Sequence, residues 1–236
     1  MIEIIVAENP STAWFQVCEK ILRHGRRLNN LREILYVVVE IRHPERIDPR
    51  IDQAFRDMKA RGNYWVDHTA DYMCPRQLEF PIGDYTPETS TTRWSRTYWD
   101  RLTRYRDRVN QLQYIVDCLR RKPNSAQLFC AIFDAEIDIY PMIENPRRPY
   151  MPTMPCLAGL DFKCRDGVVH LFATFRSHDF GRKAYGNYIG LGRVLQAVCQ
   201  DCGLEAGHVV CASHSAHIRR SELAEIVRIC DSLRST

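Results

Sequence analysis

The chain has 236 residues, 45% of them hydrophobic and 26% charged, with a formal net charge of +4. A chain of this length buries about 70% or more of its unfolded surface, so one large domain over 1–236 needs no covalent staples. No run of about 18 apolar residues occurs that would span a membrane, and so modest a charge gives no reason to expect a nucleic-acid polymer as partner.

The opening "MIEIIVAENP" carries an acid at position 3 and no basic region before its apolar residues. It reads as a first strand rather than a signal peptide, which sets a cytoplasmic expectation. The 10 cysteines then read as reduced thiols, most of them small core hydrophobes. "PSTAWFQVCEKILRHG" has helix punctuation, with Ser11 or Thr12 as cap and Gly25 as terminator. Trp14, Val17, Cys18, Ile21 and Leu22 give its apolar stripe. "EILYVVVEIRHP" is a β-branched strand closed by Pro44.

Residues 50–95 predict a short helix followed by loops. A helix through Val109, Leu112, Ile115, Val116 and Leu119 ends at Pro123, and "QLFCAIFD" follows as a strand. "LDFKC" and "VVHLFATF" alternate about Asp166-Gly167, a strong hairpin signal. "NYIGLGRVLQAVCQDCG" is a helix stopped by Gly203, and "HVVCAS" is a strand with the polar string "HSAH" after it. Strands in hairpin order mixed with three or four helices predict an α+β domain.

Polar groups gather where these elements end, which is where sites are usually built. Cys156 follows a proline at the start of a strand, "FRSHD" ends the next one, and "SHSAH" follows the last. A hairpin over "LDFKCRDGVVHLFATFR" brings its first and last residues together, and so places the Arg176 guanidinium near the Cys156 thiol. A nearby cation favours the nucleophilic thiolate. From the residues alone, a nucleophile and a buried structural cysteine both fit. Cys199 and Cys202 lack the second pair that a zinc site needs, so no metal is expected. Gly190 and Gly192 do not complete a dinucleotide fingerprint. The arginines of "RTYWDRLTRYRDR" read as a solvated helix face.

In register, these fragments resemble the thymidylate synthase family. "PC" is followed about 20 residues on by "RS-x-D", then by Asn187 opening a helix, then by "AHI" after a strand. The short length and "SHSAHI" are similar to its compact, archaeal-type and nucleotide hydroxymethylase branches. The resemblance implies that fold, a mixed sheet flanked by helices, and a homodimer packed sheet against sheet. It also implies a C5 methyltransferase or hydroxymethyltransferase acting on a dUMP- or UMP-type nucleotide. The one-carbon donor would be a reduced pterin, 5,10-methylenetetrahydrofolate or a tetrahydromethanopterin analogue.

By resemblance, Cys156 is the nucleophile that adds to C6 of the pyrimidine, and Tyr98 assists proton removal at C5. Arg176 contacts phosphate and supports the thiolate, a task suited to a bidentate guanidinium. Ser177 is a phosphate ligand, Asp179 contacts the base through its backbone, Asn187 meets the uracil edge, and His217 reaches the sugar hydroxyl. The family's paired cross-dimer arginines are replaced by Ala126 and Gln127; Arg219 is a candidate to restore a cation there, and Arg147 and Arg148 read either as another replacement or, the favoured reading, as a solvated loop. Leu157 stands where a histidine is usual and Lys183 where a glycine is, and Glu79 is the candidate catalytic glutamate. The family's extended C-terminal region is expected to be lacking. These departures motivate the alternative reading: a relative that binds a nucleotide without turnover, or that acts on a non-canonical pyrimidine.

Overall fold

A computed structural model describes residues 2–60, 66–75, 97–144 and 154–234. Its centre is an eight-stranded sheet. Six strands lie side by side in the order β1 (Glu3–Ala7), β3 (Leu31–Ile41), β8 (Glu205–Arg219), β6 (Val168–Phe175), β5 (Leu157–Arg165) and β4 (Phe129–Ala131). β2 (Arg26–Arg27) joins β3, and β7 (His178–Asp179) joins β8.

Two parallel pairs explain why the sheet is mixed. β1 pairs with β3 across helix α1 (Pro10–His24), and β6 pairs with β8 across helix α8 (Ala184–Cys202). The other main contacts are antiparallel, including the β5–β6 hairpin. That hairpin turns on Asp166 and Gly167, both left-handed at φ 51° and 82°. This conformation suits a two-residue turn between twisted strands, and the sequence signal for it was correct.

Strand alternation sorts the side chains. Val37, Val39 and Ile41 of β3, Leu171 and Phe175 of β6, and Val209 and Cys211 of β8 are buried with α1 and α8 in one core. The opposite face leaves Ile4, Val6, Tyr36 and Phe172 44–72% exposed. Gly190 and Gly192 serve this packing: a Cβ at Gly190 would stand 2.4 Å from Met73 Cβ, and one at Gly192 would stand 2.6 Å from Pro44 O. Among the described residues, no helix is long and apolar enough to cross a membrane.

Several local expectations need correction. The α1 cap is Asn9, whose side chain accepts from Thr12 N–H at 2.9 Å, while Ser11 is buried against Tyr185. Val109 lies outside helix α5 (Gln111–Arg121), which Asn110 caps, and is half-exposed. "QLFCAIFD" contributes only three strand residues. Residues 50–75 hold two helices, α2 (Pro49–Ala60) and α3 (Val66–Met73), rather than one. "SHSAH" is not a loop but the second half of β8, carried on by pairing with β3 and β7.

Candidate active site

Cys156 sits at the mouth of the β5–β6 hairpin. Register pairs Leu157 with Phe175, and the Arg176 backbone N–H donates to Cys156 O at 2.9 Å. The guanidinium then folds back: Nε donates to Pro155 O at 2.9 Å and Nη2 to Met154 O at 3.1 Å. Arg176 therefore fixes the three residues that present the thiol. Cys156 is half-buried, whereas Cys74, Cys199, Cys211 and Cys230 are buried thiols that burial pushes up to about 12. Those four are held protonated, and so are poor nucleophiles.

Helix α4 (Tyr98–Thr103) brings the tyrosine to this point. Thr97 and Asp100 form a reciprocal cap, at 2.9 and 3.1 Å, that fixes where the helix begins. The Tyr98 hydroxyl accepts from Leu157 N–H at 3.4 Å. Burial, and then the nearness of Cys156, hold its pKa above the usual phenol value. Behind it, Arg101 is not on a solvated face. It is buried in a bidentate pair with Asp138, at 2.7 and 2.8 Å, and also donates to Ile132 O at 2.8 Å. Arg106 also pairs, with Asp134 at 2.6 Å, but its side chain stays exposed, as expected of a solvated face.

The second group of candidates gathers at β7 and β8. Asp179 Oδ1 accepts from Gly181 and Arg182 N–H at 3.1 and 3.2 Å, shaping the turn into α8. Its Oδ2 faces Arg219 Nε at 3.2 Å, so part of that arginine's charge is already matched. His217, 7% exposed, lies beside Asp179 in register, and its Nδ1 has no hydrogen-bond partner among the described residues. Asn187, in the first turn of α8, is 3% exposed. Its Nδ2 lies 3.2 Å from His178 Nε2, and its Oδ1 is buried without a partner among the described residues. Ser177 is half-buried between Arg176 and His178.

The two groups meet across one row of the sheet. Leu157 of β5 pairs with Phe175 of β6, and Phe175 pairs with Ser213 of β8. The Phe175 ring stacks on His178 with centroids 3.9 Å apart. His178 and Ser213 were present in "FRSHD" and "SHSAH", but no role had been read for them. The available signal was Ser213 falling two residues after Cys211 on the inward side of a strand.

The departures also have places. Ala126 and Gln127 are exposed on the loop between α5 and β4, with Gln127 N–H on Ser125 Oγ at 3.2 Å. Leu157 is fully buried and Lys183 exposed. Glu79, Arg147 and Arg148 lie outside the described residues. Cys199 and Cys202 each donate to a backbone carbonyl at 3.6 Å, and the described residues hold no group of three metal-ligating side chains.

Comparison with known proteins places the chain in a family. The family model of thymidylate synthase matches residues 59–231. A protein of Methanosarcina acetivorans is 27% identical over 220 residues, covering 91% of this chain and 88% of its own length. One from Methanococcoides burtonii is 26% identical over 231 residues, covering 96% and 94%. One from Methanothermobacter thermautotrophicus is 26% identical over 215 residues, covering 87% and 88%. All three bear the provisional name of thymidylate synthase. The chain belongs to the thymidylate synthase family, a family of pyrimidine C5 one-carbon transferases that use methylenetetrahydrofolate-type donors.

Proposed function

We propose that this chain, folded as one domain, transfers a one-carbon unit to C5 of a uracil nucleotide with Cys156 as its nucleophile. The observation that supports this most is the half-buried Cys156, held by Arg176 and flanked by the Tyr98 hydroxyl, where Cys74, Cys199, Cys211 and Cys230 are buried thiols pushed up by burial. Addition of the thiolate to C6 moves the ring's C5–C6 electron pair toward C5 and O4, making C5 a carbon nucleophile. A reduced pterin, 5,10-methylenetetrahydrofolate or a tetrahydromethanopterin analogue, supplies the carbon as co-substrate. The C5 proton then leaves, with Tyr98 assisting, and the CH2–N bond breaks so that the pterin departs as its amine and a methylene remains on C5. Addition of hydride from the reduced pterin, or of water, to that methylene restores the C5–C6 double bond and expels the Cys156 thiolate, giving a methyl or a hydroxymethyl product respectively.

In this reading Arg176 and Ser177 take the phosphate, with Arg176 Nη1 left over from the two backbone carbonyls for that purpose. The Asp179 backbone and the Asn187 side chain meet the base, His217 meets the sugar, and Arg219 adds a cation at the rim. Asn187 Oδ1 and His217 Nδ1, buried and without a partner among the described residues, suit a ligand that brings its own hydrogen-bonding groups. The open sheet face with Ile4, Val6, Tyr36 and Phe172 suits a symmetric homodimer.

A second reading, a non-phosphorylated or otherwise non-canonical pyrimidine, or binding without turnover, draws on Ala126 and Gln127. Neither side chain carries a charge for phosphate, and two Arg176 donors are already engaged. Trapping separates the readings. A 5-fluoropyrimidine nucleotide with methylenetetrahydrofolate is expected to form a stable adduct, mapped by peptide mass spectrometry to Cys156. An adduct with the free nucleoside but not the nucleotide would favour the second reading, and no adduct with either would leave binding without turnover.

A further inference from the structure

His178 is 1% exposed and held on every side. Phe175 stacks flat on it at 3.9 Å with rings 1° apart, Tyr188 meets it edge-on at 5.5 Å, and Phe180 packs at 4.9 Å. Among the described residues, two polar side chains are hydrogen-bonded to it: Ser213 Oγ, 2.9 Å from Nδ1, and Asn187 Nδ2, 3.2 Å from Nε2. Burial, followed by the neighbouring His217, pushes its pKa down to about 3, so the ring is neutral in any ordinary buffer.

A neutral imidazole has one donor and one acceptor. An amide NH2 group only donates, so the nitrogen facing Asn187 Nδ2 must be the acceptor. The ring proton is therefore on Nδ1 and is donated to Ser213 Oγ. Ser213 can receive it because a hydroxyl oxygen keeps acceptor lone pairs whichever way its own proton turns.

This proton placement has a consequence for the base edge. With Nδ2 tied to His178, the Asn187 amide is fixed with Oδ1 turned away from the imidazole, and Oδ1 is the buried atom without a partner among the described residues. The free edge of Asn187 is then an acceptor beside the second N–H of Nδ2. Uracil offers the complement, a donor at N3 and an acceptor at O4. Cytosine offers the reverse, an acceptor at N3 and a donor at N4. Reading cytosine would require the amide to turn by 180°, placing Oδ1 against the lone pair of His178 Nε2. Relief would need the ring proton to move to Nε2, and Ser213 to donate to Nδ1 instead.

We infer that His178 is a positioning residue for base specificity, a tautomer clamp in which the buried imidazole, its Nδ1 facing Ser213 Oγ and its Nε2 facing Asn187 Nδ2, holds the Asn187 amide in the orientation that selects a pyrimidine bearing N3–H and O4. The inference rests on the reading above that Asn187 faces the base. It places the selectivity of the site in a buried imidazole that need not touch the ligand.

The test compares affinities for UMP, dUMP, CMP and dCMP in the full chain and three variants, with 15N spectra of His178 in the ligand-free wild type. The wild type is expected to show a protonated Nδ1 and a bare Nε2, and to favour the uracil nucleotides. His178→Phe keeps the ring stack but removes the acceptor, and is expected to lower the uracil-to-cytosine affinity ratio by on the order of tenfold or more. Ser213→Ala is expected to lower the ratio too, whereas Ser213→Thr keeps the hydroxyl and should keep the ratio. An unchanged ratio in folded His178→Phe overturns the clamp and leaves the proposed function standing. A proton on Nε2 in the wild type overturns the clamp even if no variant folds. A wild type that binds none of the four nucleotides overturns the functional reading and the clamp together.

Discussion

The backbone N–H of Arg176 donates to Cys156 O at 2.9 Å while its guanidinium donates to the carbonyls of the two preceding residues. One side chain thus holds three consecutive residues in the conformation that presents the thiol. Arg176→Ala leaves two carbonyl acceptors in a partly buried segment without partners. It is expected to cost about 1–3 kcal/mol of stability, read from the denaturant midpoint. Arg176→Lys cannot reproduce the fork and should recover little of it.

The Arg101–Asp138 pair is the buried anchor behind Tyr98, with side chains 7% and 3% exposed. Arg101→Met strands a buried carboxylate and is expected to cost about 3–5 kcal/mol. The double variant Arg101→Met/Asp138→Leu removes both charges and should recover a good part of that loss. A double variant no more stable than Arg101→Met would show that the buried charge is not the source of the cost.

His178 makes stability depend on acid. Its folded pKa, about 3, is depressed below the ordinary 6.5, so the unfolded chain binds the extra proton between those values. The contribution is full above pH 6.5 and is lost as pH falls toward 3, with a slope of up to about 1.4 kcal/mol per pH unit from this group. His178→Phe should flatten that part of the stability–pH curve. Equal slopes in the two proteins would contradict the assignment.

Gly190 lets α8 and α3 touch at backbone distance. A methyl there would stand 2.4 Å from Met73 Cβ and 3.0 Å from Ala70 O. Gly190→Ala should therefore destabilise by about 1–3 kcal/mol, despite the better helix propensity of alanine. A rise in the thermal midpoint would show that α3 moves aside freely.

The hairpin at Asp166–Gly167 was legible because its turn requires left-handed residues that few sequences supply. Through it, the meeting of Cys156 with Arg176 was legible too. The α5 stripe from Leu112 to Leu119 could be read because a helix face repeats at fixed spacing. The continuation of β8 through "SHSAH" could not, since its polar residues are tolerated only through pairing with β3 and β7, which are remote in sequence. Arg101 was misread as solvated for the same reason: its partner Asp138 lies 37 positions away. The Ser213–His178–Asn187 chain joins three elements, and only their spatial arrangement assigns the proton. The eight proposed site residues fall into two groups joined through Phe175, an apolar residue that no motif marked.

The most direct measurement is tritium release from C5-labelled dUMP, UMP, dCMP and CMP, with and without methylenetetrahydrofolate, using Cys156→Ala as control. Folate-dependent release from a uracil nucleotide that vanishes in Cys156→Ala is the predicted result. Release that persists in Cys156→Ala, or no release from any of the four by folded wild-type protein, would contradict addition of Cys156 to the pyrimidine ring.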